Sequence, residues 1–382
     1  MLTPTDSKIL KKWPFNFLVF LLFLGVISCA HQTQQKNYNQ TIKPNRFSVM
    51  NYNVENLFDT LPDPQREDYT YLPFATKQNK EHQIKCSQLS SRQGECLYRD
   101  WNETALHRKL KRLSEVILAT NQGKGPDLLI LEEVENIRVL RILNDEYLQK
   151  AGYSSVVLIE GPDTRGIDIG MLSRLPLTEP AKLHTIPYEP KNENDRVWMA
   201  RSRGILQAQF QLPTNETLIA FGVHLPSQAN PPYWREQALN FINKLKSQLP
   251  ENQMIIVGGD FNISAEEDLK LGFLREKLSQ SWLVSHQMGC SKCDGTHNYR
   301  GKWSFFDVLL FSPQFSSQLK SDSPFHWRLK PESIQVINAT RYQTTPYNTP
   351  AHFDENKPYG VSDHYPIYAE LELKENPAIA IR

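Results

Sequence analysis

The sequence lacks both a strong net charge and an apolar run long enough to cross a bilayer. Its formal net charge is +1 over 382 residues, and residues 1–28 contribute +2, so the remainder is near −1. This balance excludes a diffusely basic surface for clamping nucleic acid, although a local basic groove is still allowed. The N-terminal apolar run, Phe15–Ile27, has 13 residues, whereas a spanning helix needs about 20.

Internal repeats and Gly/Ser-rich linkers are also missing between residues 46 and 374. Hydrophobic residues make up 40% of the chain, which is enough to bury a large core. The sequence therefore predicts one large globular domain over residues 46–374, followed by a C-terminal tail at 375–382.

Cysteine is scarce, with five in the whole chain, and the first of them lies in a targeting pattern. A lysine-rich start precedes the short apolar run, as in a secretory signal. The run ends in "VISC", which resembles the lipobox of bacterial lipoproteins, with Cys29 as the acylated first mature residue. An uncleaved anchor or an ordinary signal peptide is the alternative. Alanine after Cys29 implies, by the same resemblance, sorting to the outer membrane.

The predicted location is therefore the cell envelope, lipid-anchored in the outer membrane on its periplasmic or surface side. Residues 1–28 form the signal peptide in this interpretation. Residues 29–45 are rich in Gln, Asn, Lys and Thr, a composition that favours a flexible tether.

An exported protein lies in an oxidising compartment, where cysteines usually form disulfides. Disulfides are therefore expected for the other four cysteines, Cys86, Cys96, Cys290 and Cys293. Three pairings are possible, and the local ones, which join Cys86 to Cys96 and Cys290 to Cys293, close the shortest loops. A zinc site is the alternative, with His286 and His297 joining Cys290 and Cys293 as ligands, but a single C-x-x-C is weak evidence for one.

Strand patterns outnumber helix patterns along the predicted domain. Apolar residues at helical spacing predict helices in "ETALHRKLKRLSEVIL" and "YWREQALNFINKLKSQL". Residues 61–104 are polar and lack a sustained period, which predicts a surface insertion. The expected fold is α/β, with mixed, mostly antiparallel sheets packed as a sandwich and helices outside.

Polar residues interrupt the apolar strands at six places. They are Asn53 in "VMNYNVENLF", Glu133 in "LLILEEVEN", His224 in "AFGVHLPSQ", Asp260 and Asn262 in "VGGDFNIS", Asp307 in "FFDVLLF", and Asp363 and His364 in "VSDHYPI". A buried charge without a partner costs several kcal/mol. Each residue alone has a structural explanation, such as a capped turn or a satisfied core histidine.

The order and local contexts of this set resemble the endonuclease/exonuclease/phosphatase superfamily. The resemblance runs from about Phe47 to Leu373, and its most specific part is "GDFN" about 100 residues before "SDHYP". It implies a deoxyribonuclease I-like fold of four layers and hydrolysis of phosphate esters. The superfamily includes nucleases, sphingomyelinases and inositol-polyphosphate phosphatases.

By this resemblance, Asn53, Glu133 and Asp363 hold a divalent cation, expected to be Mg²⁺ with Mn²⁺ as a substitute. Asp260 deprotonates the attacking water, and Asn262 holds that water or a phosphate oxygen. We expect strand alternation to send both side chains to one face.

Further roles carry over in the same way. His364 contacts the scissile phosphate and is oriented by Asp307, whereas His224 contacts a phosphate oxygen or assists the leaving group. Arg203 is a weaker match as a phosphate contact, for which Arg201 could equally serve, and Asp168 is a loose match to an active-site position.

One departure from the family pattern concerns the strand "PDLLILEEV". The glutamine that usually precedes the metal-binding glutamate is Glu132 here, and spacing from Pro126 and Asp127 selects Glu133 as the ligand. The extra carboxylate is expected to alter metal affinity.

The predicted function is an exported, Mg²⁺-dependent nuclease that acts as a monomer on DNA or RNA. "HNYRGKWSFFD" supports this choice because Arg300 and Lys302 stand among Tyr299 and Trp303, a mixture suited to phosphate contact and base stacking. A polar hairpin packed on the core is the alternative.

A sphingomyelinase-type phosphodiesterase is the second choice of function. An inositol-phosphate phosphatase comes third, since a "PAWCDR"-like signature is missing, and a non-catalytic binding module is the last alternative.

Overall fold

The computed structural model describes residues 43–89, 91–319 and 325–375. The predicted signal peptide, the lipidation at Cys29, most of the tether and residues 376–382 of the tail lie outside these ranges. No helix within the described ranges is both long and apolar enough to span a membrane.

Two six-stranded sheets form the centre of the fold. The described strands are β1 (Arg46–Leu57), β2 (Leu128–Val134), β3 (Ser155–Leu158), β4 (Asp168–Ser173), β5 (Lys182–His184), β6 (Ile205–Gln211), β7 (Thr217–His224), β8 (Met254–Asp260), β9 (Leu283–Val284), β10 (His297–Tyr299), β11 (Lys302–Ser304), β12 (Asp307–Phe311), β13 (Phe325–Val336) and β14 (Ile367–Glu375). The first sheet has the order β13-β14-β1-β2-β4-β3, and the second has the order β5-β6-β7-β8-β12-β9. Strands β10 and β11 pair separately as a hairpin.

Only two neighbouring pairs in these sheets are parallel within the described residues, β1 with β2 and β7 with β8. All other pairs are antiparallel. The mixed, mostly antiparallel sandwich predicted from the sequence is therefore confirmed.

Eight α-helices flank the sheets, namely α1 (Lys80–Ser87), α2 (Gln93–Tyr98), α3 (Glu103–Leu118), α4 (Ile137–Ile142), α5 (Glu193–Met199), α6 (Pro232–Ser247), α7 (Ala265–Leu271) and α8 (Ser285–Met288), as counted in the described part of the chain. Two π-helical segments, Leu143–Tyr147 and Phe273–Leu278, follow α4 and α7. Helix α3 has the bounds of its predicted pattern. The Asn102 side chain caps it by accepting a hydrogen bond from the Ala105 backbone N–H at 3.0 Å.

Alternation along β1 shows how the layers pack. Phe47 and Val49 point into the core between the two sheets, whereas Met50 and Tyr52 point to the core between the first sheet and α3. A third core joins the second sheet to α6. Because side chains alternate along a strand, Asn51 and Asn53 share the face of Val49 and point toward the second sheet.

The segment predicted as an insertion, residues 61–104, contains α1, α2 and two 3₁₀ turns at Tyr69–Tyr71 and Phe74–Lys77. Buried Lys77 organises it, because its Nζ donates to the carbonyls of Thr70 at 2.8 Å and Arg99 at 2.8 Å. Trp101 fixes the end of the segment to β1 and its following turn by donating from Nε1 to the Phe58 carbonyl at 3.1 Å.

Disulfides join Cys86 to Cys96 and Cys290 to Cys293, so the favoured local pairing is confirmed. The second bond consumes both thiols that the zinc alternative required. Its two histidines are also engaged elsewhere, since His286 stacks on Phe305 at 4.5 Å between ring centroids and His297 stacks on Phe306 at 4.5 Å.

Candidate active site

The candidate site lies where the ends of four central strands meet between the two sheets. Strand register places Asn53 beside Glu132 in the first sheet. In the second sheet, Asp260 lies beside His224 on one side and Asp307 on the other. The two parallel pairs bring their carboxyl ends to the same edge of the sandwich, where ligand sites of α/β folds commonly form.

Two glycines before Asp260 allow this close assembly. A Cβ at Gly259 would lie 2.0 Å from the Val223 carbonyl oxygen, and one at Gly258 would lie 2.6 Å from Ile130 Cδ1 in the other sheet. Any side chain at these positions would therefore push apart the strands or the sheets that hold the site.

Asp260 is the buried carboxylate at the centre of the site. One oxygen accepts a hydrogen bond from Asn53 Nδ2 at 3.0 Å, and the other accepts from the Asn262 backbone N–H at 2.8 Å. Burial raises the pKa of Asp260 to about 7, against the lowering effect of His364. A carboxylate poised near neutral pH and held by fixed donors has the properties of a general base.

Asp307 and His364 form a tight pair beside Asp260. The Asp307 Oδ2 to His364 Nδ1 distance is 2.7 Å, and the other Asp307 oxygen accepts from the Asn53 backbone N–H at 3.3 Å. Burial alone would lower the pKa of His364, but Asp307 and then Asp363 raise it well above the usual value. His364 is thus a fixed cation whose Nε2 lies 3.8 Å from Asp260 Oδ2.

His224 flanks Asp260 on the opposite side. Its Nε2 lies 3.6 Å from Asp260 Oδ2 and 3.9 Å from Glu133 Oε1. Burial lowers the pKa of His224 well below its usual value, and the nearby charge of Arg203 lowers it further. A neutral imidazole and an imidazolium therefore face the same carboxylate.

Glu132 and Glu133 have opposite environments although they are neighbours. Glu133 adopts a left-handed backbone (φ 65°) at a register shift of β2, and its Oε2 accepts from the Asn56 backbone N–H at 3.0 Å. Glu132 is fully buried and contacts Asn51 Nδ2 at 3.3 Å. Burial, then Asp307 and Asp260, raise the pKa of Glu132 well above normal, which favours its uncharged form.

Asp363 lies at the open rim of the site. Its side chain is 28% exposed, with Oδ1 4.0 Å from His364 Nε2 and Oδ2 3.9 Å from His352 Nδ1. His352 Nδ1 is also 2.6 Å from Glu55 Oε1. The rim therefore carries two carboxylates, from Glu55 and Asp363, joined through one imidazole.

Asn262 lies next to Asp260, but strand alternation is the wrong explanation for its position. Strand β8 ends at Asp260, and Asn262 adopts a left-handed conformation (φ 52°) in the turn that follows. Its Nδ2 donates to the Leu225 carbonyl at 3.1 Å. The turn, and the backbone N–H that caps Asp260, bring the two residues together.

The two weaker predictions lie in different places. Arg203 is near the site, with Nη1 3.5 Å from the His224 carbonyl and Nε 3.2 Å from Asp163 Oδ2, whereas Arg201 is exposed beside Glu67 at 3.9 Å. Asp168 instead accepts a hydrogen bond from the Gly161 backbone N–H at 2.7 Å. It lies on β4 opposite Val134 of β2.

Sequence reasoning missed three residues of the site. Asn51 contacts Asp307 at 3.4 Å, and its position two residues before Asn53 could have indicated this. Arg165 shares Asp163 with Arg203 through a 3.1 Å contact. His297 packs on His364 with ring centroids 4.8 Å apart. Arg165 comes from a loop and His297 from the short strand β10, and neither sequence carries a periodic signal.

The site's donors suit a hard divalent cation. Among the residues that the structure describes, Asn53 Oδ1 accepts only the Glu55 N–H, at 3.0 Å. Glu133 remains partly exposed at 18%, so both can offer a further oxygen lone pair. Oxygen donors without a thiolate favour Mg²⁺ or Mn²⁺. The buried carboxylate, the two imidazoles and the arginine together could bind a phosphate ester and activate water.

Comparison with known proteins agrees with this chemistry. Residues 96–373 match the Endonuclease/Exonuclease/phosphatase family, and the chain belongs to that family. Its members are phosphoester hydrolases that typically use divalent metals. No curated protein matches the sequence.

Solved structures show the same fold at low sequence identity. An endonuclease/exonuclease/phosphatase family protein from Bacteroides thetaiotaomicron has a TM-score of 0.51 at 13% identity, with 88% of this chain and 100% of that chain covered. A D. rerio TDP2 humanized by 14 mutations has a TM-score of 0.51 at 16% identity, with 86% and 99% covered. A family member from Bacteroides vulgatus has a TM-score of 0.51 at 13% identity, with 86% and 99% covered.

Proposed function

We propose that the protein is a Mg²⁺-dependent phosphodiesterase that hydrolyses nucleic acid, with water as the nucleophile. The observation that carries this proposal is the environment of Asp260, a buried carboxylate between neutral His224 and cationic His364. Its pKa near 7 allows it to accept a proton at neutral pH.

Each side chain of the site has a separate role in the proposed reaction. Asp260 takes the proton from water, and the backbone N–H of Asn262 fixes the carboxylate for that task. His364, held by Asp307, binds the scissile phosphate through Nε2. Arg203 adds positive charge behind His224, and neutral His224 can donate or accept a hydrogen bond at a phosphate oxygen or the leaving group.

Asn53, Glu133 and Asp363 are the proposed residues for the cation. When bound, Mg²⁺ would neutralise charge on the phosphoryl group and the leaving oxygen. Glu132 stays outside this set, because it is fully buried and its raised pKa disfavours the carboxylate.

The hairpin of β10 and β11 supports nucleic acid as the substrate. A bridge between His297 and His364 attaches it to the site, and Tyr299 at its tip is 62% exposed. Arg300 lies over the Tyr299 ring at 5.1 Å. A cation and an exposed aromatic ring beside the site suit contact with a phosphate backbone and an unstacked base.

A lipid phosphodiester is the second candidate substrate. It is favoured by exposed apolar side chains in the insertion, which the polar composition of residues 61–104 did not indicate. Four apolar or aromatic side chains of the insertion are exposed, Leu61 (58%), Phe74 (40%), Ile84 (48%) and Tyr98 (73%). Exposed side chains of this kind can enter a membrane interface.

A substrate panel separates the two candidates. The purified protein is incubated with Mg²⁺ and single-stranded DNA, duplex DNA, RNA, sphingomyelin vesicles or an inositol polyphosphate. We expect cleavage of nucleic acid, faster at low salt because phosphate binding releases counterions. Rapid hydrolysis of sphingomyelin without nucleic-acid cleavage would establish the second candidate instead.

We also propose a lipid anchor at Cys29 in the cell envelope, supported by the short apolar run and "VISC". Cys29→Ser should release the protein from the membrane fraction or leave its precursor unprocessed. Fatty-acid labelling that fails to mark the wild type would reject the anchor.

A further inference from the structure

A cavity lined by several charged side chains lies against helix α3, outside the candidate active site. Its volume is about 580 Å³, within the range of small-molecule sites. Helix α3 and two later loop segments line it through Arg108, Lys111, Arg112, Glu115, Arg341, Tyr342, Pro358 and Tyr359. We call it the α3 cavity.

Positive charge dominates the α3 cavity. Four of its lining residues are cationic and one, Glu115, is anionic. None of the four cations has a carboxylate oxygen within 4.0 Å among residues 43–89, 91–319 and 325–375. The charge of Glu115 acts favourably on Arg112 and Arg341, but four cations against one carboxylate leave a net positive charge that a bound anion would offset.

Backbone carbonyls hold one guanidinium of the cavity in place without neutralising it. Arg112 donates to the carbonyls of Lys357 at 3.0 Å, Tyr359 at 3.0 Å and Gly360 at 2.9 Å. It also lies over the Tyr342 ring at 5.2 Å. Its position is therefore fixed while its charge remains available, which lowers the entropic cost of binding an anion.

The remaining cations surround this fixed guanidinium. Arg108 donates to the Glu355 carbonyl, and Arg341 lies over the same Tyr342 ring at 4.7 Å. Lys111 is exposed at the mouth of the cavity. The exposed cations Lys111 and Arg341, beside the fixed Arg112, form a site for an anionic group that enters from solvent.

The α3 cavity is close to the candidate active site along the chain. Tyr359, which lines it, precedes Asp363 by four residues, so their Cα atoms are at most about 14 Å apart. Phosphates along one DNA strand are spaced by about 3.4 Å of helix axis. A strand segment of about four nucleotides could therefore reach from one site to the other.

We infer that the α3 cavity is a second phosphate-binding subsite, which holds a nucleic-acid strand several nucleotides from the scissile phosphate. This inference rests on the proposed nuclease function. A strand can enter a concave cavity, whereas a flat lipid surface cannot follow it, so the geometry favours nucleic acid over a membrane.

The test removes the two exposed cations that do not hold the loop, as Lys111→Ala with Arg341→Ala. Lys244→Ala with Lys270→Ala is the control, because it removes two exposed charges from helices α6 and α7. All full-length proteins carry Cys29→Ser so that a lipid anchor does not contribute. Binding of a labelled 12-nucleotide DNA strand is measured in EDTA at several salt concentrations.

We expect the cavity variant to bind about tenfold more weakly at low salt, with a salt slope reduced by about 1.4, the value for two single-strand phosphate contacts. The control should change less than twofold. With Mg²⁺, kcat/KM should fall for the 12-nucleotide strand and stay constant for a dinucleotide, which is too short to reach the cavity.

Equal binding by the cavity and control variants would overturn the subsite even if the protein is a nuclease. Absence of strand binding by the parent protein would overturn it as well. Conversely, cavity-dependent strand binding without any cleavage would retain the subsite and reject the nuclease. Weaker binding to phosphatidylglycerol vesicles with unchanged strand binding would assign the cavity to a membrane and overturn the inference.

Discussion

At the scale of single residues, Glu132 and Glu133 show how one backbone conformation separates two identical side chains. The left-handed φ of Glu133 leaves its carboxylate partly exposed, whereas Glu132, the preceding residue of β2, is fully buried. Spacing selected Glu133 as the expected ligand, but the sequence could not show that the pKa of Glu132 is raised. Burial raises that pKa most, followed by the charges of Asp307 and Asp260, which come from the other sheet.

This difference predicts opposite results for two substitutions. Glu133→Gln should lower kcat/KM by on the order of 100-fold and raise the Mg²⁺ concentration needed, since it removes an anionic ligand. Glu132→Gln should change kcat/KM by less than about tenfold, because it replaces an uncharged group of similar shape. Mg²⁺ titrations of both variants check this, and the reverse order of effects would exchange the two assignments.

Asp307 is predicted to act through His364. In Asp307→Asn the anion that raises the pKa of His364 is lost, so the pKa falls and the imidazolium deprotonates at lower pH. The alkaline limb of the pH–kcat profile should move toward neutral pH, and kcat should fall about 10²- to 10⁴-fold. Mg²⁺ affinity should stay nearly constant. A large loss of metal binding with normal turnover at saturating metal would make Asp307 a ligand instead.

At the scale of elements, the strongly periodic segments were predicted well. Helix α3 follows its amphipathic pattern, with Leu106, Leu110 and Leu113 buried on one face. The prediction missed β13, a 12-residue strand at the edge of the first sheet. Pro331 and a register shift between Lys330 and Gln335 interrupt its alternation, which a Pro-containing edge strand tolerates but a sequence pattern does not reveal.

The insertion offers a test of how a disulfide supports small elements. The bond from Cys86 to Cys96 joins α1 to α2 across a sequence separation of 10, and closing such a loop stabilises by about 3 kcal/mol in the chain-entropy account. Cys86→Ala with Cys96→Ala should therefore lower Tm and expose Lys80 and Lys85 to trypsin.

The matched control is Cys290→Ala with Cys293→Ala, whose bond spans a separation of only 3. The same account gives about 2 kcal/mol for this shorter loop, so its Tm should fall less, without new cleavage in the insertion. A larger loss of Tm in the control, or an insertion that stays resistant to trypsin without its disulfide, would contradict this role.

At the scale of the whole molecule, the family and the sandwich fold could be predicted, because the motifs and the strand alternation are visible in short segments of the sequence. The site's electrostatics could not, since they arise from contacts across the two sheets. Asn53 meets Asp260 over a separation of 207 residues, and Asp307 meets His364 over 57. Substrate preference depends on exposed surfaces such as the β10–β11 hairpin. The sequence of this hairpin fits a nucleic-acid contact and a purely structural hairpin equally well, so it could not decide the substrate.

The most direct test of the central claim is hydrolysis of a labelled DNA strand by the purified protein after metal removal. The proposed cation ligands Asn53, Glu133 and Asp363 predict that activity disappears in EDTA and returns with Mg²⁺ or Mn²⁺. Because the pKa of Asp260 is raised to about 7 in the absence of metal, activity should also fall as this carboxylate is protonated at acid pH. Full activity in chelator would contradict a metal-assisted phosphodiesterase.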